Sequence, residues 1–254
     1  MVFLPDTALL VPGAAGRAEP AAGLRDAAVA ALAGLAGADE AGSARVLVVA
    51  PARRGRFLPH PVAPGLGAAG LLLPDAAPAV DGAPRADVPA SVALVLLRAA
   101  GVDAPVDVLE IARADGDAPA GAPPLPGAPR AVVVVGSLSA RHGPDAPLAD
   151  DPRAPAADDA LLAGLAAGPA ALARALDDLG ADGARDLAVS GRAPWRAVLA
   201  LLPAGATAEA TPPHAEVVAG AQHVVAAWRV ADTPAPDARA PHPSTVPHHP
   251  EEPR

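Results

Sequence analysis

Residues 131–135, Ala-Val-Val-Val-Val, followed at once by Gly136, constrain this chain more than any other stretch. Four consecutive β-branched side chains disfavour a helix, and a run without polar alternation suits a strand buried on both faces. Residues 45–50, Arg-Val-Leu-Val-Val-Ala, form a second run of the same kind, which the sequence predicts to end at Pro51. Two such strands require helices on both sides of a largely parallel sheet.

The remaining elements are read around that sheet. Val2–Leu4 predicts a short strand running into a loop at Pro5-Asp6, and Val106–Ile111 a further strand. Leu24, Ala28, Ala31, Leu32 and Leu35 recur at helical spacing within 21–37, and Pro89 opens a helix through Ala100. Residues 53–67 read as loop, Gly70–Leu73 as a short strand, and 114–129 as a Pro/Gly/Ala linker. Residues 156–189 read as helices interrupted at Gly168-Pro169 and Gly180, followed by a helix from about Pro194 to Leu202 and a closing strand at His223–Val230. From Thr233 onward proline, histidine and acids dominate, so 233–254 is expected to be a disordered tail behind one domain at 1–232. The pattern predicts a three-layer α/β/α domain with a mixed, mainly parallel central sheet.

Absent residue types exclude several activities. No cysteine means no disulfide, thiolate nucleophile or cysteine-bound metal, and no lysine means no Walker A loop and no Schiff-base chemistry. Tyrosine is absent too, and the aromatics are confined to Phe3, Phe57, Trp195 and Trp228, so the core must be built from Leu, Val and Ala. The net charge of −9 and the lack of a basic stripe argue against nucleic acid, and Arg53, Arg54 and Arg56 read as a solvated loop. No apolar run has membrane-spanning length, and the N-terminus has no charged n-region, which together predict a cytoplasmic protein with no membrane partner.

Two motifs fail on their context. Gly65–Gly70 spells G-x-G-x-x-G but follows a proline-rich loop and precedes no helix, so it predicts no dinucleotide site. Ser137 and Ser139 follow a buried strand without the flanking glycines of a nucleophile elbow. Among the histidines, His60 lies in a Pro-His-Pro loop and His142 follows the valine strand. His214, Glu216 and His223 cluster near the last strand. Two imidazoles and one carboxylate are the donor types of a ferrous facial triad, with ordinary surface or loop histidines as the alternative. In an extended segment His214 and Glu216 project to one side, and His223 begins the next strand.

Gly191-Arg192-Ala193-Pro194-Trp195, with Val225-Ala226-Ala227-Trp228 later, resembles the C-terminal half of small bacterial proteins of the class III extradiol ring-cleavage dioxygenase (LigB-like) family. Leu9-Leu10-Val11-Pro12, Val46–Pro51 and Ser139-Ala140-Arg141 fit the same family, and the likeness covers roughly residues 1–230. The resemblance implies non-haem Fe(II), O2, a small aromatic diol as substrate, and an acid/base histidine. It also implies where those residues fall. The two ligand histidines correspond to Asp6 and Ala52 and the acid/base histidine to Ala140, while Glu216 lies near the family glutamate. Ring cleavage is therefore expected to be impaired or altered, with Fe(II) bound only in an active protein and His60 or His142 as the substitutes from neighbouring positions. A non-catalytic small-molecule-binding or scaffolding protein on the same fold is the alternative. Asp6, Ser139, Arg141, His142 and Arg192 are the pocket residues implied, and Glu216, His60 and His214 the metal candidates.

Overall fold

A computed structural model of the chain describes residues 1–36, 45–71, 82–112 and 129–231. The expected linker at 114–129 lies almost wholly outside these residues. So do the tail at 233–254 and the second half of the short strand expected at 70–73; of its first half, Gly70 closes a 3-10 turn over Leu66–Ala69 and Leu71 is in no strand.

Eight strands among the described residues form one sheet: β1 (Val2–Leu4), β2 (Val46–Ala52), β3 (Arg56–Leu58), β4 (Val106–Ala112), β5 (Ala131–Val135), β6 (Ala208–Ala210), β7 (His214–Val218) and β8 (Ala221–Val230). Their order is β3-β4-β2-β5-β1-β8-β6, with β7 on β8. The central β4-β2-β5-β1 block is parallel, and β3, β8, β6 and β7 pair antiparallel. This is the mixed α/β sheet that the two valine-rich runs predict.

Side-chain alternation then assigns the faces. Val2, Leu4, Val48, Ala50, Val133, Val135 and Val225 point to α1 (Ala22–Ala36) and α2 (Val88–Ala99). Phe3, Val134, Val224, Ala226 and Trp228 point to α3 (Ala154–Ala167), α4 (Pro169–Asp186) and α5 (Arg192–Leu201). Three of the four aromatic rings share the second face: Phe3 meets Trp228 at 4.7 Å and Trp195 at 6.0 Å, both edge to face. The first face is packed with Val, Leu and Ala alone, so its helices must lie close.

Two local expectations are corrected. β2 runs through Pro51 to Ala52 and does not stop at the proline. Val46 N–H bonds Pro105 towards β4, so every second residue from Leu47, including Pro51, turns its N position towards β5. Pairing with β5 ends at Val49, and Pro51 therefore removes no ladder bond. Residues 53–67, read as loop, contain the edge strand β3, held because Arg56 reaches the fully buried Glu110 of β4.

The motif at 191–195 is explained by packing. A β-carbon on Gly136 would lie 2.4 Å from the Gly191 Cα, and one on Gly191 would lie 2.6 Å from the Trp195 ring. The end of β5, the start of α5 and the indole thus stack backbone to backbone to ring, and only glycine fits at both contacts. Gly191 N–H bonds the Ser137 carbonyl at 3.0 Å, which fixes the chain as it leaves β5.

Candidate functional site

Register brings the polar residues together. Phe3 pairs with Ala226, Leu4 with Val135, Val49 with Val134 and Ala52 with Ala112. Continuing each ladder places Asp6, Ala52, Ser137 and His223 at one level, at the carboxyl ends of the parallel strands, where open α/β sheets bind their ligands. Glu216 pairs directly with His223 across the β7–β8 hairpin. Alternation puts all of them on the α1/α2 face, because Asp6 follows Leu4 by two residues, Ala52 follows Ala50, Ser137 follows Val135 and His223 precedes Val225.

At the centre, Ser137 Oγ lies 2.9 Å from His223 Nδ1, and both residues are buried. Ser137 Oγ accepts the Asp6 N–H at 3.2 Å. With the serine accepting the Asp6 N–H and donating its O–H to Nδ1, both atoms of the Ser137–His223 contact are satisfied, which leaves the imidazole proton on Nε2. His223 Nε2 has no hydrogen-bond partner among the described residues. Burial lowers the His223 pKa from its ordinary value, against the opposing pull of the Asp6 and Glu216 carboxylates, so the ring is neutral at pH 7. Glu216 Oε1 pairs with His214 Nε2 at 2.7 Å and sits over the first turn of α1, where Gly23 leaves room for it. A carboxylate there is stabilised by the helix N-terminus.

The arrangement suits hydrogen bonding to a ligand and proton transfer through an imidazole, and it does not suit acyl transfer. The three amides that lead through Ser137 are already bonded and offer no oxyanion donor: Gly136 N–H to the Leu4 carbonyl, Ser137 N–H to Ser190 Oγ, and Leu138 N–H to the Gln222 carbonyl.

The other pocket candidates drawn from the sequence lie elsewhere in the structure. Ser139 is fully buried on the α3 side; its N–H bonds Asp158 and its hydroxyl donates to the Leu187 carbonyl. His142 Nε2 lies 2.6 Å from Asp158 Oδ2. Burial raises the Asp158 pKa above the usual carboxylate range, against the His142 and Ser139 hydrogen bonds that lower it. Arg141 donates to the Ala149 carbonyl, and Arg192, 7% exposed, turns its Nε to the Leu176 carbonyl of α4. Ser139 and His142 tie the loop after β5 to α3, Arg141 closes that loop on itself, and Arg192 ties α5 to α4.

His60 is also removed from the metal candidates. Its N–H bonds Asp107 Oδ1, and the ladder from Leu58–Val108 puts it level with residue 106. The site is level with Ala112, six residue steps along β4 and about 20 Å away at the rise of a strand. His60 and Glu216 therefore cannot share an ion.

Of the residues nominated from the sequence, Asp6, Glu216 and His214 fall at the site. Reasoning from the sequence passed over Ser137 as a failed elbow and missed its pairing with His223. It missed Asp158 entirely, although Ala154, Asp158, Leu161 and Leu165 share one helical face and the acid interrupts an apolar stripe.

At the three positions that the resemblance assigns to ferrous iron stand Asp6, Ala52 and Glu216, two carboxylates and a methyl. That donor set does not fit a centre built on imidazoles. A cleft of about 780 Å³ lies at the opposite, amino end of β1 and β5, bordered by Met1, Leu35, Arg130, Ala210 and Trp228. Among the described residues that line it there is no histidine. No helix among the described residues is long and apolar enough to cross a membrane. No family model matches the chain, and no curated protein matches it.

Proposed function

We propose that this protein keeps a scaffold like that of the extradiol dioxygenases and binds a small aromatic, hydroxyl-bearing molecule at the carboxyl end of its sheet, with ferrous ring-cleavage chemistry impaired or altered. The observation that carries the reading is the convergence of Asp6, Ala52, Ser137, Glu216 and His223 at one level and on one face. The resemblance, drawn from short motifs alone, nominates Asp6, Ala52 and Glu216, and the strand registers independently support a common site for them. Alanines at 52 and 140 supply neither an iron ligand nor a proton carrier. His223 offers the site one oriented, neutral imidazole, which supports hydrogen bonding to a ligand hydroxyl. On this reading the protein is cytoplasmic and does not bind nucleic acid, in keeping with its net charge of −9.

Calorimetric titration of the purified chain with 3,4-dihydroxybenzoate and catechol, without added metal, tests this. Saturable binding that weakens at least about tenfold in His223→Gln is expected, a loss of the size that one charge-free hydrogen bond supplies. Binding that appears only after one ferrous ion per chain has been taken up would overturn it.

A further inference from the structure

We propose that the β7–β8 hairpin is a proton-operated clamp on the carboxyl-end site, closed while His223 is neutral and loosened when its imidazole takes up a proton. The inference stands on the hairpin's own geometry and does not depend on which ligand the site takes.

The hairpin is a compact arm. Ala219 and Gly220, with φ of 50° and 70°, make its two-residue turn, and Gly220 packs so tightly on Ala146 that a β-carbon would lie 2.2 Å from the Ala146 Cα. It is fastened to the segment after β5 by three backbone hydrogen bonds: Leu138 N–H to the Gln222 carbonyl at 3.1 Å, Gln222 N–H to the Ser139 carbonyl at 2.8 Å, and His142 N–H to the Gly220 carbonyl at 2.9 Å. One side-chain bond among the described residues joins the same two elements, that of Ser137 Oγ with His223 Nδ1, and it lies buried midway along the arm.

A proton arriving at Nδ1 removes the acceptor that the Ser137 O–H uses and puts a cation where the residue is only 4% exposed. The charged groups facing the ring are Asp6, from the loop after β1, and Glu216, from β7. The Glu216 carboxylate is already shared with His214. The first turn of α1, packed against β7, offers Gly23, and its Arg25 is held by Glu19. The segment after β5 offers the uncharged Ser137, and its His142 ring is held on Asp158. An imidazolium reverses the Ser137 bond and turns the serine O–H away from Nδ1, and its charge is drawn towards Asp6 and Glu216; a ring that moves towards them carries the hairpin with it.

Amide hydrogen exchange on the full chain, followed by NMR between pH 5 and 8 and corrected for the intrinsic exchange rate, tests the clamp. Protection of the Leu138, His142 and Gln222 amides is expected to fall about tenfold or more on going from pH 7.5 to 5.5, while that of Val48 and Val49 in β2 stays constant. The fall should vanish in His223→Gln and persist in His142→Gln, which separates the two imidazoles. Protection that does not change with pH, or that falls equally in His223→Gln, overturns the proposal. Should that variant not fold, the wild-type ring titration of His223 decides instead. Its midpoint must coincide with that of the loss of protection, and a mismatch overturns the clamp.

Discussion

Ser137 and Ser139 stand two residues apart just past the same strand, yet they enter polar groups on opposite sides of the sheet. On the α3 side the Asp158 carboxylate bonds both the Ser139 N–H and the His142 ring, with the Leu187 carbonyl taking the serine hydroxyl, and Arg192 bonds the Leu176 carbonyl. On the α1 side Ser137 orients His223, whose Nε2 keeps no partner among the described residues, beside two carboxylates. The first group closes on itself and holds loops in place, while the second leaves donor capacity for something else. Polar residues at the end of a strand are thus not equivalent as site candidates, and what separates them is whether the protein has already used their hydrogen bonds.

Substitutions on the two sides should separate these roles. The largest effect belongs to the packing that both groups hang from. Trp195→Ala empties the space beneath Gly191 and Gly136 and should cost ~3–5 kcal/mol in denaturant unfolding, with ligand binding lost only through unfolding. Asp158→Ala comes next, at ~1–3 kcal/mol, because it strands the buried Ser139 N–H and the His142 ring. Ser137→Ala should cost ~1 kcal/mol yet abolish the fixed tautomer of His223, which an imidazole 15N spectrum reads directly. A Ser137→Ala variant less stable than Asp158→Ala would break the comparison.

The pH dependence sharpens it further, because the two groups have opposite signs. His223 has a folded pKa below its ordinary 6.5, so the unfolded chain binds more protons in the window between the two values. Its contribution is full above 6.5 and is lost as pH falls through that window. Asp158 has a folded pKa above its ordinary 3.8, so its contribution is full below 3.8 and is lost as pH rises through its folded pKa. Urea midpoints measured at intervals from pH 4 to 8 should therefore lose one slope in His223→Gln and the other in Asp158→Asn. These are the smallest effects expected, and a slope shared by both variants would contradict the assignment.

The sheet was legible because runs such as Ala131–Val135 have few alternatives, and the helices because leucine spacing and proline starts mark them. Pro51 misled because its cost depends on where the neighbouring strand stops, and no local pattern shows that. The site was half legible. Asp6, Glu216 and His214 follow from motifs and strand parity, but the Ser137–His223 pair joins residues 86 apart in sequence, through registers that only the folded sheet defines. Ser139, Arg141 and His142 drew attention as a motif, although the chain turns away from the α1 face after Ser137, delivers Ser139 and His142 to α3 and turns Arg141 to the Ala149 carbonyl.

The most direct measurement is oxygen uptake by protein incubated anaerobically with ferrous ion and then mixed with catechol in air-saturated buffer. The account predicts uptake no faster than the same ferrous ion with catechol alone, and no ring-opened product. Sustained turnover of catechol to a ring-opened aldehyde acid, lost in Glu216→Gln, would contradict it.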